Sequence, residues 1–311
     1  MAYFITIDGG TTNTRISLCE DFTPIDTVKL SLGARAGIDG SGELKAKIKE
    51  AIRTLLEKNS IAEEAVERIL AAGMISSEFG LYALPHAMLP ISISDLSGES
   101  FEVALPEISS IPFIFMRGIK KLGDTLEDSD LIRGEETELA GIFDSKLGDA
   151  IYVLPGSHTK VMSVKGSGEI ADFSTLLSGE MLYALSESTI LKDALDLSQS
   201  ELDEEFLLFG YTYAREHGIN NALFKVRVQK NVFNRTPCEI YSFFVGVVLC
   251  DEVREILKYD GKNVVIGGKR QMRLALAKIL VSVSDKTVTV LSDEEVDTSL
   301  IRGMLKLYKG K

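Results

Sequence analysis

The chain has 311 residues, of which 45% are hydrophobic and 26% are charged, a composition that suits a globular protein with one large core or two joined ones. Its formal net charge is -12 and its basic residues are spread along the chain, which argues against nucleic acid as a partner. No apolar run approaches the roughly 20 residues of a membrane span, no leader precedes the first strand, and the three cysteines are far apart, so a soluble cytoplasmic protein with reduced thiols is expected.

The first predicted element is a hairpin with a polar tip. Residues 3–7 are typical of a buried strand, and the apolar alternation resumes at 16–18. The tip can direct N–H groups and hydroxyls at one phosphate. Asp8, at the strand end, is then best explained as a Mg²⁺ ligand, directly or through water, although it could simply cap a turn. The candidate phosphate-binding residues are Gly9, Gly10, Thr11, Thr12 and Asn13.

An amphipathic helix is predicted at 43–59, a short buried strand at 69–72 and a helix at 135–143. The last of these opens with an acidic run that follows Arg133. Either Glu135 or Glu136 could accept a proton from an attacking hydroxyl, and Arg133 could pair with a substrate carboxylate. The alternative is a solvated helix start.

A second hairpin is predicted, with strands at 151–154 and 161–164. It repeats the order of strand, glycine-containing turn and strand seen in the first hairpin. When the two segments are aligned, Gly156 matches Gly9 and Thr159 matches Thr12, which indicates an internal duplication. Two such tips would act together on one chain of phosphates. The candidate phosphate-binding residues here are Gly156, Ser157, His158, Thr159 and Lys160.

The remainder alternates helices near 201–217, 240–258 and 270–280 with strands at 264–266 and 287–291, and ends in a helix from 294. This is an α/β pattern. We expect one lobe at 1–146 and another at 147–311, with the last helix crossing back to the first. The turn Gly267-Gly268 could offer flat backbone to a purine or be a structural turn. A further helix begins at Ser178-Gly179-Glu180, and these residues could either contact the substrate or simply cap the helix.

The sequence contains no Walker motif, no G-x-G-x-x-G after a strand, no G-x-S-x-G elbow and no zinc-ligand spacing. These absences exclude P-loop ATPases, Rossmann dehydrogenases and α/β-hydrolases. Instead, the order of motifs closely resembles the 2-dehydro-3-deoxygalactonokinases, within the superfamily of sugar kinases, actin and heat-shock ATPases. The segments that carry this resemblance are 8–15, 72–77, 133–139, 154–160 and 172–180.

The resemblance implies a duplicated ribonuclease H-like (actin-like ATPase) fold, with two lobes and an interlobe cleft. It also implies an ATP- and Mg²⁺-dependent kinase that phosphorylates the 6-hydroxyl of 2-dehydro-3-deoxy-D-galactonate in galactonate catabolism, and a homodimer. By the same correspondence Glu135 is favoured over Glu136 as the base. The implied substrate contacts are Arg15, Met74, Arg133, Gly179 and Glu180.

The chain departs from the family pattern in two places. The position after Asp8, usually tryptophan, is Gly9, which would widen the substrate end of the cleft, and the turn at 267–270 is more basic than expected. Three alternative functions remain: a kinase of another 2-keto-3-deoxy or aldonic acid, an actin- or chaperone-like ATPase, and a non-catalytic sugar-acid sensor.

Overall fold

The computed structural model of the chain describes residues 2–21, 23–39 and 42–310. The backbone forms two compact units. Unit 1 comprises Met1–Lys146, Ser167–Ala171 and Glu294–Lys311, and unit 2 comprises Leu147–Gly166 and Asp172–Asp293. The first break thus lies after residue 146, and two later segments, the second of which holds most of the last helix, belong to unit 1.

The elements up to the first break in chain order are β1 (Tyr3–Gly9), β2 (Thr14–Glu20), β3 (Thr23–Leu30), α1 (Gly42–Lys58), β4 (Val66–Gly73), β5 (Ala87–Met88), β6 (Ile91–Ser92), α2 (Ile93–Gly98), β7 (Phe101–Val103), β8 (Phe113–Phe115), β9 (Ile119–Lys121), β10 (Asp130–Ile132) and α3 (Glu135–Ile142). Those after it are β11 (Ala150–Leu154), β12 (Thr159–Val164), β13 (Glu169–Leu176), α4 (Ser178–Ser188), α5 (Glu204–His217), α6 (Ile219–Asn231), α7 (Pro237–Val248), α8 (Cys250–Leu257), β14 (Asn263–Ile266), α9 (Arg270–Val283), β15 (Thr287–Val290) and α10 (Asp293–Lys309).

The main sheet of unit 1 has the strand order β3-β2-β1-β4-β8-β7. β1 pairs antiparallel with β2 and parallel with β4, which pairs parallel with β8. Apolar residues of β1 and β2 pack against the buried face of α1, where Leu44, Ile48 and Leu55 recur at helical spacing. The predicted hairpin and amphipathic helix are confirmed.

The sheet of unit 2 repeats this topology, with its strands in the order β15-β14-β11-β12-β13. β11 pairs antiparallel with β12 and parallel with β14, which pairs parallel with β15. Reading β11 to β15 in the place of β1, β2, β3, β4 and β8 gives the same order in both sheets. The predicted duplication of an α/β unit is confirmed.

Strand register corrects the predicted alignment of the two hairpins. Asp8 lies opposite Arg15 in the first hairpin, and Leu154 lies opposite Lys160 in the second, so the second tip is one residue shorter. Counting from these pairs, Gly156 corresponds to Gly10 rather than Gly9. Thr159 likewise corresponds to Thr14 rather than Thr12.

A small three-stranded sheet in unit 1, in the order β10-β9-β5, precedes α3. The first residues of β13 also belong to unit 1, where they pair with β6. The predicted helix at 240–258 is two helices, α7 and α8, which meet at the buried Leu249. In the described parts of the chain, no helix has both the length and the apolarity to cross a membrane.

Candidate active site

Asp8 stands at the end of β1, between Arg15 of β2 and Ala72 of β4. Its side chain is partly buried. Burial raises the pKa of Asp8, the charge of Arg15 opposes that rise, and the neighbouring Glu135 adds to it. Asp8 and Glu135, predicted as the two catalytic carboxylates, therefore lie within electrostatic reach of each other.

Glycines bring α3 up to the end of the sheet. A Cβ on Gly73, whose φ is +82°, would lie 2.7 Å from the carbonyl oxygen of Gly9. A Cβ on Gly134, with φ +113°, would lie 3.2 Å from the Cα of Gly73. No larger residue fits this succession of close contacts, which fixes the start of α3 beside the ends of β1 and β4.

Gly9 does not open extra space. A Cβ at this position would lie 2.5 Å from the Cβ of Ile75, which is fully buried against it. The expectation that glycine in place of the family tryptophan widens the site is therefore wrong at this point, because Ile75 already occupies the neighbouring volume.

The two candidate bases differ in their surroundings. Glu136 is only 1% exposed, and its carboxylate accepts hydrogen bonds from the N–H of Gly134, at 3.0 and 2.8 Å, and from the hydroxyl of Thr137 at 2.9 Å. Burial raises the pKa of Glu136 to about 7. Glu135 remains partly accessible and accepts a hydrogen bond of 3.2 Å from the N–H of Arg133. Glu136 thus binds the backbone at the start of α3, and Glu135 is the more accessible of the two carboxylates.

Glu138 is a third carboxylate of this group that the sequence analysis did not single out. It lies one turn beyond Glu135 and accepts a hydrogen bond of 3.1 Å from the hydroxyl of Ser299 in α10. Burial, followed by the charge of Glu135, raises the pKa of Glu138 to about 7. The three-residue spacing from Glu135 was the available signal, because residues so spaced share one helix face.

Arg133 is held by the protein itself. One guanidinium nitrogen donates to the carbonyl and hydroxyl oxygens of Ser76, at 2.8 and 3.0 Å, and the other donates to the carbonyl of Leu84 at 2.9 Å. The second nitrogen also lies 3.2–3.3 Å from the ring nitrogens of His86. In this structure Arg133 therefore fixes the turn that follows β4, which includes the candidate substrate contact Met74.

The first hairpin tip presents unpaired donors. The N–H of Gly10 donates to the carbonyl of Asn13 at 2.9 Å and closes the turn. Within residues 2–21, 23–39 and 42–310, the N–H groups of Thr11 and Thr12 have no backbone acceptor, and both residues are exposed. Such outward-facing amides suit an anionic phosphate.

The tip of the second hairpin also presents N–H groups without backbone acceptors. The N–H groups of Gly156 and Ser157 likewise find no backbone acceptor in the described chain. Lys160 differs from expectation because it is only 4% exposed, and its Nζ donates to the carbonyl of His158 at 3.1 Å beneath the turn. Its charge lies under the tip rather than over it.

The third glycine turn lies against the base of the second hairpin. Gly268 has φ +68°, and a Cβ there would lie 2.1 Å from the carbonyl oxygen of Pro155. This repeats the contact between Gly73 and Gly9, at the equivalent strand ends. The buried Arg273, which the sequence analysis missed, donates to the carbonyl of Gly268 at 2.9 Å and pairs with Asp293. The turn is thus fixed from both sides.

Gly179 and Glu180, predicted as substrate contacts, lie at the second hairpin. A Cβ on Gly179 would lie 1.9 Å from the carbonyl oxygen of Gly156, and the N–H of Glu180 donates to the carbonyl of Ser157 at 3.0 Å. The carboxylate of Glu180 lies 3.1 Å from Nε2 of His158. Both residues therefore pack against the tip of the second hairpin.

Below this hairpin lies the buried carboxyl group of Glu252, on α8. It is 0% exposed, and neither oxygen has a hydrogen-bond partner of ordinary geometry in the described residues. Burial raises its pKa to about 7, and the nearby hydroxyls of Ser178 and Thr159 oppose the rise. Glu252 is therefore predominantly protonated below neutral pH, directly under the residues that shape the tip.

A preformed metal site is absent from the described residues, where no group of three or more histidine, cysteine, aspartate or glutamate side chains is arranged to hold a metal ion. Mg²⁺ usually keeps several waters and is bound by one or two carboxylates together with substrate phosphates. Asp8, beside an exposed turn of unpaired amides, fits that mode.

Comparisons with known proteins agree with this geometry. The family model for 2-keto-3-deoxy-galactonokinase matches residues 8–305. A protein of Rhizobium meliloti (strain 1021), named as a probable 2-dehydro-3-deoxygalactonokinase, is 23% identical over 200 residues, which cover 62% of this chain and 59% of the relative. The match thus spans less than two thirds of that protein.

Two solved structures share the fold. A protein of Sinorhizobium meliloti with the same provisional name superposes with a TM-score of 0.74 at 19% identity, over 96% of this chain and 97% of that one. The activator of 2-hydroxyisocaproyl-CoA dehydratase from Clostridium difficile, solved with bound ADPNP, gives 0.50 at 12% identity, over 99% and 95%. Together with the repeated strand order, these matches show the duplicated ribonuclease H-like fold of the actin-like ATPases.

Proposed function

This chain belongs to the 2-keto-3-deoxy-galactonokinase family, and we propose that it transfers the γ-phosphoryl group of ATP to the 6-hydroxyl of 2-dehydro-3-deoxy-D-galactonate, as a step of galactonate catabolism. The observation that carries the proposal is the placement of Asp8 and the accessible Glu135 beside each other at the end of β1, next to a turn with unpaired amides.

Phosphoryl transfer needs a positioned nucleophile and stabilised phosphate charge. We assign Glu135 as the base that orients the 6-hydroxyl and accepts its proton, because the carboxylate of Glu136 already accepts hydrogen bonds from the backbone N–H at the start of α3. Arg15 and Met74 would contact the sugar acid from the strand and the turn beside it. Arg133 would position that turn.

The tip of each hairpin, at residues 9–13 and at residues 156–159, would bind phosphate through its amides, with Gly179 and Glu180 supporting the second. The turn at Gly267 and Gly268 would lie along the adenosine. Asp8 would hold Mg²⁺ through water, and the ion would neutralise charge on the phosphates. We place the reaction in the cytoplasm and expect a homodimer, as in related kinases.

The proposal is tested by a coupled ADP-release assay with Mg-ATP and a panel of 2-keto-3-deoxy acids, aldonic acids and neutral sugars. Stimulation by 2-dehydro-3-deoxy-D-galactonate, lost in Asp8→Ala and Glu135→Gln, is the expected result. A preference for another acid on the panel would change the substrate and keep the reaction class. If no sugar acid stimulates ADP release, the kinase assignment fails in favour of an ATPase or a sensor.

A further inference from the structure

The three-stranded sheet of unit 1 carries a second cluster of functional side chains. Ala87 lies beside Ile119 and Ile132, and Met88 lies beside Lys120 and Leu131. Because successive side chains of a strand point to opposite faces, the first three share one face and the second three share the other. The first face is buried, whereas Met88 and Leu131 are 45% and 60% exposed.

The exposed face continues into His86, Gly118 and Arg133, which are two residues away from Met88, Lys120 and Leu131 respectively and therefore lie on the same face. Gly118 is required there, since a Cβ would lie 2.8 Å from Cδ2 of His86 and 3.1 Å from Cβ of Arg133. The imidazole and the guanidinium therefore lie side by side over this glycine. In a chain of net charge -12, this face carries positive charge from Arg133 and Lys120, beside the imidazole of His86.

The cations of this cluster differ in what they bind. Arg133 is held by Ser76, Leu84 and His86 as described above. Arg117 donates to the carbonyl of Pro85 at 2.6 Å and pairs with Glu99. Lys120 is only partly exposed, yet its ammonium makes no hydrogen bond or ion pair with the described residues.

Lys120 thus provides an unpaired positive charge between two exposed apolar side chains, Met88 and Leu131. This arrangement fits a small anion that carries aliphatic carbon near its charge, and a 2-keto-3-deoxy acid has a methylene group separated from its carboxylate by one keto carbon. His86 adds hydrogen-bonding capacity, because burial, followed by Arg133, Lys120 and Arg117, lowers its pKa to about 4 and keeps the ring neutral at pH 7.

The face also leads directly to the proposed base. β10 ends at Ile132, and Arg133 and Gly134 connect it to Glu135 without an intervening loop. The N–H of Arg133 donates to the carboxylate of Glu135. The sheet face that carries Lys120 is therefore connected, through Arg133, to the start of α3.

We propose that Lys120, on the exposed face of the small sheet, binds the carboxylate of the sugar acid, with His86 beside it as a second donor and Arg133 as a positioning residue for that histidine. This inference rests on the proposed kinase function. It moves the anion-binding role from Arg133, which the sequence favoured, to a lysine that the sequence does not distinguish.

The test compares Lys120→Met with Lys121→Met. Lys121 is the next residue of β9 and lies opposite Asp130, so its side chain is on the other face of the strand and the two variants lose the same charge. Steady-state kinetics are measured with 2-dehydro-3-deoxy-D-galactonate and with its uncharged amide. Calorimetric binding of the acid without ATP, and thermal unfolding of each variant, complete the set.

We expect Lys120→Met to raise KM and the calorimetric Kd for the acid by about tenfold to a hundredfold, the usual effect of losing a hydrogen bond between charged groups. The amide should be affected by less than about threefold, and Lys121→Met should behave as wild type. An unchanged KM for the acid in Lys120→Met, or an equal loss for acid and amide, would overturn the assignment while leaving the kinase function in place. If wild type phosphorylates no sugar acid, the proposed function itself fails, and a calorimetric Kd for the acid that is unchanged in Lys120→Met would then overturn the lysine assignment separately.

Discussion

Replacing Glu252 by glutamine should stabilise the protein above neutral pH. The wild-type carboxyl is 0% exposed and without a hydrogen-bond partner of ordinary geometry in the described residues, so its ionisation inside the fold is costly. Glutamine has nearly the same shape and carries no charge. Its amide can bond to the hydroxyls of Ser178 and Thr159 at any pH.

The magnitude follows from the pKa. Burial raises the pKa of Glu252 from an ordinary 4.5 to about 7. The folded protein therefore keeps this proton to a higher pH than the unfolded chain does. The free energy of unfolding has its full contribution from this group below pH 4.5 and loses it as pH rises from 4.5 through 7. The loss amounts to about 3 kcal/mol, at about 1.4 kcal/mol for each pH unit in that window.

Urea unfolding, followed by far-ultraviolet circular dichroism because the chain has no tryptophan, measures the effect between pH 4.5 and 8. The difference in unfolding free energy between Glu252→Gln and wild type should grow by about 3 kcal/mol across this range. The exposed Glu205, changed to glutamine, serves as the control for the same chemical change at the surface. A difference for Glu252→Gln that does not change with pH would refute the assignment of a buried, protonated carboxyl.

Three further predictions follow from the site. Asp8→Asn and Glu135→Gln should each lower kcat by on the order of 10²–10⁴, with thermal unfolding unchanged within a few degrees; retention of kcat in Glu135→Gln would show that another group takes the proton. Gly268→Ala should cost on the order of 1–3 kcal/mol in urea unfolding, because φ is +68° and its Cβ would overlap the carbonyl at the base of the second hairpin; full stability would argue against that close contact. Gly303→Ala should lower stability by about 1–3 kcal/mol and reduce kcat, since its Cβ would lie 1.8 Å from a carbonyl of α3; Gly98→Ala, which meets nothing within 4 Å, is its control, and equal behaviour of the two would contradict the packing of α10 on α3.

The parts of the fold that the sequence predicts are those set by local patterns. Both hairpins and the duplication follow from apolar strands that flank glycine-containing turns. The helix at 135–143 follows from the acidic run at its start and from apolar residues at helical spacing. The offset between the hairpins was wrong because it was read from residue identity, whereas the register is fixed by the pairs Asp8–Arg15 and Leu154–Lys160.

The small sheet could not be predicted, because its strands have only two or three residues and show no alternation long enough to recognise. The partners of Arg133 lie 47–57 residues away in the chain, so nothing local indicates that its guanidinium is already bound. The choice between Glu135 and Glu136 depended on helix phase. The structure settles which of the two is buried at the cap of α3.

The position of the phosphate in the product shows whether the 6-hydroxyl of the sugar acid is the group that this protein phosphorylates. Wild-type protein is incubated with Mg-ATP and 2-dehydro-3-deoxy-D-galactonate, and the product is analysed by ³¹P–¹H correlation NMR. We expect a phosphate ester coupled to the two protons on C6, formed in equal amount with ADP. An ester at another carbon, or free phosphate without any sugar ester, would contradict it.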